Sequence, residues 1–457
     1  MKSIRFVRIA ALGFAFGAMP ETEALAEPPA AEPPRAFVVP EVTDVMLEPP
    51  ASPPHRLESF EQARDLLERR SPDLAQARAD VEKARGVLRQ TFAGILPTLN
   101  GTASFTAKPL QPNLIANVAL PNYGYLTQLV ATERVVAPST WRLIGANERD
   151  VERAELSALD ARRRVYAGLA EALLGVVVTE QTAERARDGL RAAMQTLVLW
   201  SKRKELGVGT ELDLARLAQD VATARLSVIE RHESVHRARE ALGMALGASE
   251  AWGVGGAVDP TAVQAAVRRA CTPLTSPLLR ADVESAAAQL DVNQRLVKKS
   301  ELDFAPTVDL VTTVGMQPSS FTSTTPAANV QIAGVLSWSI WDGGSRYGAL
   351  RIARANVASA EAKHDKLRRE AELQAQQTSR AIGVAEQALV AATDARDRAR
   401  DTDRLVRVAL AAGSGSTLDL VQAQQQLRRA ETETALREFE LVRTKVEQFL
   451  VSSRCAP

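Results

Sequence analysis

The chain has 457 residues, with 56 Lys and Arg against 55 Asp and Glu. Near-neutrality argues against a nucleic-acid partner. Only 4% of residues are aromatic, while Ala, Leu, Arg, Gln and Glu dominate, a composition that favours long helices over one large compact core.

The chain opens with the pattern of a secretory signal. Lys2, Arg5 and Arg8 precede an apolar run from Ile9 to Ala18, too short to span a bilayer as a helix. Ala24-Leu25-Ala26 fits a cleavage site, so 1–26 is read as a signal peptide. Its removal leaves 53 basic and 53 acidic residues. No Cys follows the site, which excludes a lipoprotein anchor there. Residues 27–56 form a Pro-rich leader, expected to be extended and poorly ordered, with order starting near Leu57.

From Leu57 the chain reads as two repeats, 57–250 and 276–457, around an inter-repeat segment, 251–275. Each repeat opens with helix. In the first, a short helix spans Leu57 to Arg69, and Ser71-Pro72-Asp73-Leu74 restarts it with a Ser cap, a Pro at the first helical position and an acid in the first turn. In the second, Ser276-Pro277 is read as the start of the matching helix. Pro97 and Pro306 then introduce alternating stretches with the period of a strand. After loops at 109–122 and 317–328, second strands return at 125–136 and 330–341. Val330, Ile332, Leu336, Trp338 and Ile340 share one face of the last.

Very long helices follow. No proline occurs from Ser139 to Asp259 or from Ala327 to Ala456. Helix is expected from Ser139 to Glu205 and from Ser345 to Ala411, roughly 100 Å each. Return helices run from Glu211 to Leu246 and from Thr417 to Val451. Leu214, Val221, Val228, Val235 and Leu242 recur every seven residues, a coiled-coil seam. Between each long helix and its return lies the same turn. Gly207-Val208-Gly209-Thr210-Glu211-Leu212-Asp213-Leu214 shares Gly, Gly, Leu, Asp and Leu with Gly413-Ser414-Gly415-Ser416-Thr417-Leu418-Asp419-Leu420. A repeated turn flanked by helix means a duplicated hairpin.

Four strands in one chain cannot close a barrel and would leave two edges exposed. Helices this long are far beyond the roughly 11–12 residues of a globular helix. Several chains sharing one barrel and one helical bundle resolve both problems. The strands are the length an outer-membrane barrel needs, and they alternate apolar with small polar residues. Of 17 aromatics after the signal, nine lie in 98–142 and 304–347, where Trp141, Trp338, Trp341, Tyr123 and Tyr347 suit interfacial girdles. A trimeric coiled-coil surface protein of adhesin type is the alternative.

The chain resembles the TolC family of outer-membrane efflux proteins. The resemblance is carried by Leu57-Glu58-Ser59-Phe60-Glu61-Gln62-Ala63, by Ser71-Pro72-Asp73-Leu74 and by the Pro97 and Pro306 strand entries. The strand-to-helix junction Trp341-Asp342-Gly343-Gly344 and the two tips complete it. It implies a mainly α fold with a β-barrel part: a homotrimer with a 12-stranded barrel and a periplasmic tunnel of 12 helix segments. It also implies outer-membrane lipid, a periplasmic adaptor and an inner-membrane pump (RND, ABC or MFS) as partners, for efflux or type I secretion. The expected location is the outer membrane of a Gram-negative bacterium, with a large periplasmic part.

By the same resemblance the periplasmic entrance comprises Gly207, Gly209, Asp213, Gly413, Gly415, Asp419 and Gln422. Asp213 and Asp419 would either ring the mouth with negative charge or order their own turns. Gly415 stands where the best-known relative has a locking Arg, and Gln422 where it has a further Asp. A mouth closed mainly by packing is expected. Cys271 and Cys455 are both placed near the tunnel's equator and could pair in an oxidising compartment.

One motif points elsewhere. His232-Glu233-Ser234-Val235-His236 matches the zinc-peptidase HExxH pattern. Its flanks, Glu230, Arg231, Arg237 and Arg239, are charged, no third His follows at ligand spacing, and Val235 belongs to the seam. We therefore expect no metal, cofactor or enzymatic activity.

Overall fold

The computed structural model describes residues 41–107, 123–256, 258–318 and 326–455. The expected signal peptide, the leader up to residue 40 and residues 108–122 and 319–325 lie outside the described residues; of the expected loop 317–328, residues 317–318 belong to one strand and 326–328 to the next. From Val42 onward the chain forms one unit.

A short strand, β1 (His55–Leu57), precedes α1 (Phe60–Arg70) and α2 (Pro72–Ala93). Ser59 caps α1 by accepting from the Gln62 amide, and Ser71 caps α2 by accepting from the Leu74 amide. Strands β2 (Thr98–Ala107) and β3 (Tyr123–Val136) lead into α3 (Pro138–Glu205), which turns into α4 (Glu211–Ala245). The inter-repeat segment holds β4 (Trp252–Val254), α5 (Pro260–Ala270) and β5 (Thr272–Pro273). The second repeat is α6 (Ala281–Leu302), β6 (Thr307–Pro318), β7 (Pro326–Ser337), α7 (Ser345–Ala411), α8 (Thr417–Val451) and β8 (Ser453–Arg454).

The duplication is nearly residue for residue. The long helices have 68 and 67 residues, and their return helices have 35 each. The helices before the strands have 22 each. In each repeat the long helix is flanked by two shorter ones: α3 by α4 and α2, α7 by α8 and α6. The ends of α4 and α2 meet where Gly247 lies against Arg70 and Pro72. Contacts of α3 with α6 and α8 bind the two repeats together.

The sheet order is β2-β3-β6-β7, all antiparallel, so among the described residues β2 and β7 are open edges. Register aligns Leu99 with Ala131, Leu129 with Val314, Val314 with Val330 and Val308 with Leu336. Directly paired residues share a face. One face therefore carries Leu99, Phe105, Leu129, Val314, Val330, Ile332 and Leu336, all exposed. The opposite face carries Asn100, Thr102, Ser104, Gln128, Thr313 and Gln331. The less regular β3 has a register shift between Arg134 and Val136, next to the Arg134–Asp309 ion pair at 3.1 Å.

Three local expectations are corrected. The leader is not loose as far as Leu57. Met46 and Leu47 pack on the cluster of Leu190, Ala193, Val221, Ala224 and Val228, and Asp44 pairs with Arg225 at 2.5 Å. The carbonyl of Ala51 accepts from Arg239 at 2.8 Å, and β1 pairs in parallel with β4. Residues 42–57 thus form a strap over the first hairpin. Ser276-Pro277 does not open a long helix directly. It forms one 3-10 turn, Pro277–Leu279, and Arg280 is then extended, because its buried guanidinium reaches Asp282 at 2.7 Å and Gln374 at 2.8 Å. Finally, β7 stops at Ser337, short of Trp341, because the chain turns there to cap α7.

The main core sits where the strap, the inter-repeat segment and the end of α8 meet. Leu57, Phe60 and Leu67 pack with Leu169, Leu173, Leu242, Trp252, Val263, Leu450 and both cysteines.

Candidate functional site: the two hairpin tips and the strand-to-helix junction

Both tips are built from local backbone demands. At the end of α3 the amide of Gly207 donates to Lys204 O at 2.8 Å, and that of Val208 to Arg203 O at 3.0 Å. This reversal needs a left-handed residue, and Gly207 has φ +79°. Gly413 repeats it with φ +79° after α7. The second glycine of each tip serves close approach instead. A Cβ on Gly209 would lie 3.3 Å from Lys204 N, and one on Gly415 only 2.9 Å from Leu410 N. Gly415 is thus required by its own turn, and an Arg there would force the backbone to move.

Each return helix then starts with a reciprocal capping box. Thr210 accepts from the Asp213 amide at 3.2 Å, and Asp213 Oδ2 accepts from the Thr210 amide at 3.1 Å. Ser416 and Asp419 make the same pair of bonds at 3.2 Å each. Both tip acids thus order their own turns. Asp213 has a further role: its Oδ1 accepts from the Thr417 hydroxyl, joining the two tips. That bond first, then the bonds from Thr210, hold the Asp213 carboxyl below the usual carboxylate range. Gln422 is exposed on the first turns of α8.

Above the tips lies a latch that the sequence reading missed. Asp220 on α4 is 1% exposed, and its Oδ1 accepts from Arg428 at 2.6 Å and Gln425 at 2.9 Å, both on α8. The available signal was its place beside Val221 in the heptad seam, where an acid faces a neighbouring helix rather than water.

At the strand-to-helix junction Gly343 and Gly344 have φ +69° and +90°. Asp342 accepts from the Gly344 amide at 3.1 Å, the Arg346 amide at 3.0 Å and the Arg346 side chain at 2.8 Å. Trp338 donates to Phe304 O at 3.0 Å. Trp141, Trp338, Ile340, Trp341 and Tyr347 remain exposed, an apolar belt at the foot of the sheet.

The remaining sequence candidates separate cleanly. Cys271 and Cys455 are joined by a disulfide. In the HExxH stretch Val235 is buried in the seam and Glu233 pairs with Arg237 at 2.8 Å. Burial and the nearby Arg187 push the basicity of His232 down. Among the described residues no three His, Cys, Asp or Glu cluster to hold a metal ion, and no helix is long and apolar enough to cross a membrane.

A family model described as outer membrane efflux protein matches residues 63–248 and 278–447. Among solved structures, CusC superposes with a TM-score of 0.76 at 16% identity, covering 91% of this chain and 99% of that one. The CmeC outer membrane channel of Campylobacter jejuni gives 0.74 at 16% identity, with coverages of 87% and 86%. The outer membrane protein VceC of Vibrio cholerae gives 0.73 at 18% identity, with coverages of 87% and 97%. No curated protein matches the chain at a significant level. With both repeats matched by the model and a fold shared with these channels over 87–91% of its length, the chain belongs to the outer membrane efflux protein family, of TolC type.

Proposed function

We propose that three copies of this chain form a channel through the outer membrane of a Gram-negative bacterium. The observation that carries this reading is the sheet. Among the described residues its apolar face is exposed, and its two edges, β2 and β7, are unpaired. Backbone edges cannot face lipid, so β7 of one copy pairs with β2 of the next until a 12-stranded barrel closes. The belt of Trp141, Trp338, Trp341 and Tyr347 sits at its periplasmic rim. The hairpins continue as a tunnel roughly 100 Å long. At its mouth the channel receives substrate from a periplasmic adaptor and an inner-membrane pump, for efflux or type I secretion. The chain carries no catalytic role in this scheme.

The mouth is closed by packed tips rather than by a strong carboxylate ring. Asp213 and Asp419 keep their charge but are held to their own turns by capping boxes, and Gln422 and Gly415 add no further charge to the tips. Strong trivalent-cation block of single-channel conductance, lost in Asp419→Ala, would contradict that closure. For the assembly itself, cross-linking and light scattering of the detergent-purified mature protein should give three chains. A monomer would refute the barrel.

A further inference from the structure

The two repeats are clasped at their bases by different chemistry. The first repeat lies between β1 and β4, which pair with each other. That clasp is non-covalent. The Gly255 amide donates to Leu57 O at 2.7 Å, and His55 stacks on Trp252 with centroids 4.8 Å apart. The strap reinforces it through Arg239 and Ala51 O. The second repeat lies between β5 and β8, which also pair. There the Leu274 amide donates to Ser452 O at 2.7 Å, and Arg454 reaches Leu279 O at 3.0 Å. The second clasp is also covalent. Cys271 and Cys455 are bonded across a separation of 184 residues, so the disulfide encloses almost the whole second repeat.

We propose that this bond is installed after export by thiol–disulfide exchange with a periplasmic protein carrying a reactive disulfide, and that trimer assembly depends on it. The inference rests on the export reading given above. One thiolate of the chain attacks the oxidant's disulfide, forming a mixed disulfide and releasing one oxidant thiolate. The second thiolate attacks the chain's sulfur in that mixed disulfide. The chain leaves with its cystine and the oxidant leaves as a dithiol. Two electrons pass to the oxidant, and the two thiol protons of the chain balance its new thiols.

Two observations place this step before final packing. Cys271 is 3% exposed and Cys455 0%, inside the main core, where no partner protein can reach them. Cys455 also follows the entire second repeat, so no exchange can close the bond until that repeat has been exported. The long loop explains why assembly needs it. Closing a loop of this length removes much of the unfolded chain's freedom. Without the disulfide, the base of the second repeat is held only by non-covalent contacts: the β5–β8 pair, the Leu274–Ser452 and Arg454–Leu279 bonds and the core around them.

The test is thiol labelling of the denatured, unreduced protein from outer-membrane fractions, with trimer yield measured alongside. No free thiol is expected in normal cells. Two free thiols and a several-fold loss of trimer are expected in cells lacking the disulfide-donating oxidant. Cys271→Ser, Cys455→Ser and the double variant should lower trimer yield alike. Because these variants can fail for other reasons, purified wild-type trimer is also reduced directly. Its apparent melting temperature should fall by about 5–10 °C. Two free thiols in normal outer-membrane trimer, or unchanged melting after reduction, would overturn the proposal. Absence of the protein from the outer membrane would instead refute the export reading.

Discussion

The two repeats share one backbone plan and differ in the chemistry at both of its ends. At the hairpin tips, the first is flanked by Lys202, Arg203, Lys204, Glu205 and Glu211, while the second has no charged residue from Val408 to Leu418. At the base, the first repeat is held by a strap and a strand pair, the second by a strand pair and a disulfide. What is common is what the backbone demands: a left-handed Gly, a Gly at close approach and a capping box. Side chains free of those demands have diverged. The same tip geometry thus rests on local rules, whereas the asymmetry lies in how each hairpin is tied to the rest.

The latch between the hairpins gives the sharpest way to break this comparison. Arg428→Ala leaves the buried Asp220 carboxylate with Gln425 alone, and the expected cost is about 3–5 kcal/mol. Thermal unfolding of the trimer should show that loss, and Arg428→Met should not rescue it. Equal melting of Arg428→Ala and wild type would mean that the hairpins are coupled elsewhere.

A smaller effect, confined to the first repeat, is expected from the strap. Arg239 is 7% exposed and binds both Ala51 O and Glu180. Arg239→Ala should cost about 1–3 kcal/mol and speed proteolysis between residues 42 and 52. The Cys271–Cys455 bond should be as resistant to reduction as before. Faster reduction there would show that the two bases are not independent.

The smallest effect is at the tips, and it depends on pH. The Asp213 carboxyl is held below its ordinary range by Thr417 and Thr210. Its contribution is therefore complete above the unfolded carboxylate range and is lost as pH falls through the lowered folded value. Thr417→Val should shrink that acid-side loss, read as a flatter dependence of tip protease resistance on pH in mildly acidic to acidic buffer. An unchanged profile would mean that the inter-tip bond contributes nothing in solution.

The same contrast explains how much of the molecule was legible in the sequence. The limits of α7 and α8 could be read to the residue, because Gly413 and Ser416 act on their neighbours. The duplication and the strands were legible through periodicity. The strap was not, since Pro-rich composition conceals Met46 and Leu47, whose partners lie more than 140 positions away. The end of β7 was overextended, because Trp338 and Ile340 continue the alternation while Asp342 draws the chain into its cap. At the tips, the two carboxylate roles were both open in the sequence, and only coordinates show each Asp closing a capping box. Asp220 looked like any polar residue on a helix until α8 was placed against it.

The channel itself is tested most directly by reconstituting the purified mature protein in planar lipid bilayers. The account predicts discrete, uniform conductance steps from trimers, with openings more frequent once the Asp220–Arg428 latch is cut by Arg428→Ala. Trimers that insert and never conduct, in wild type and latch variant alike, would contradict it.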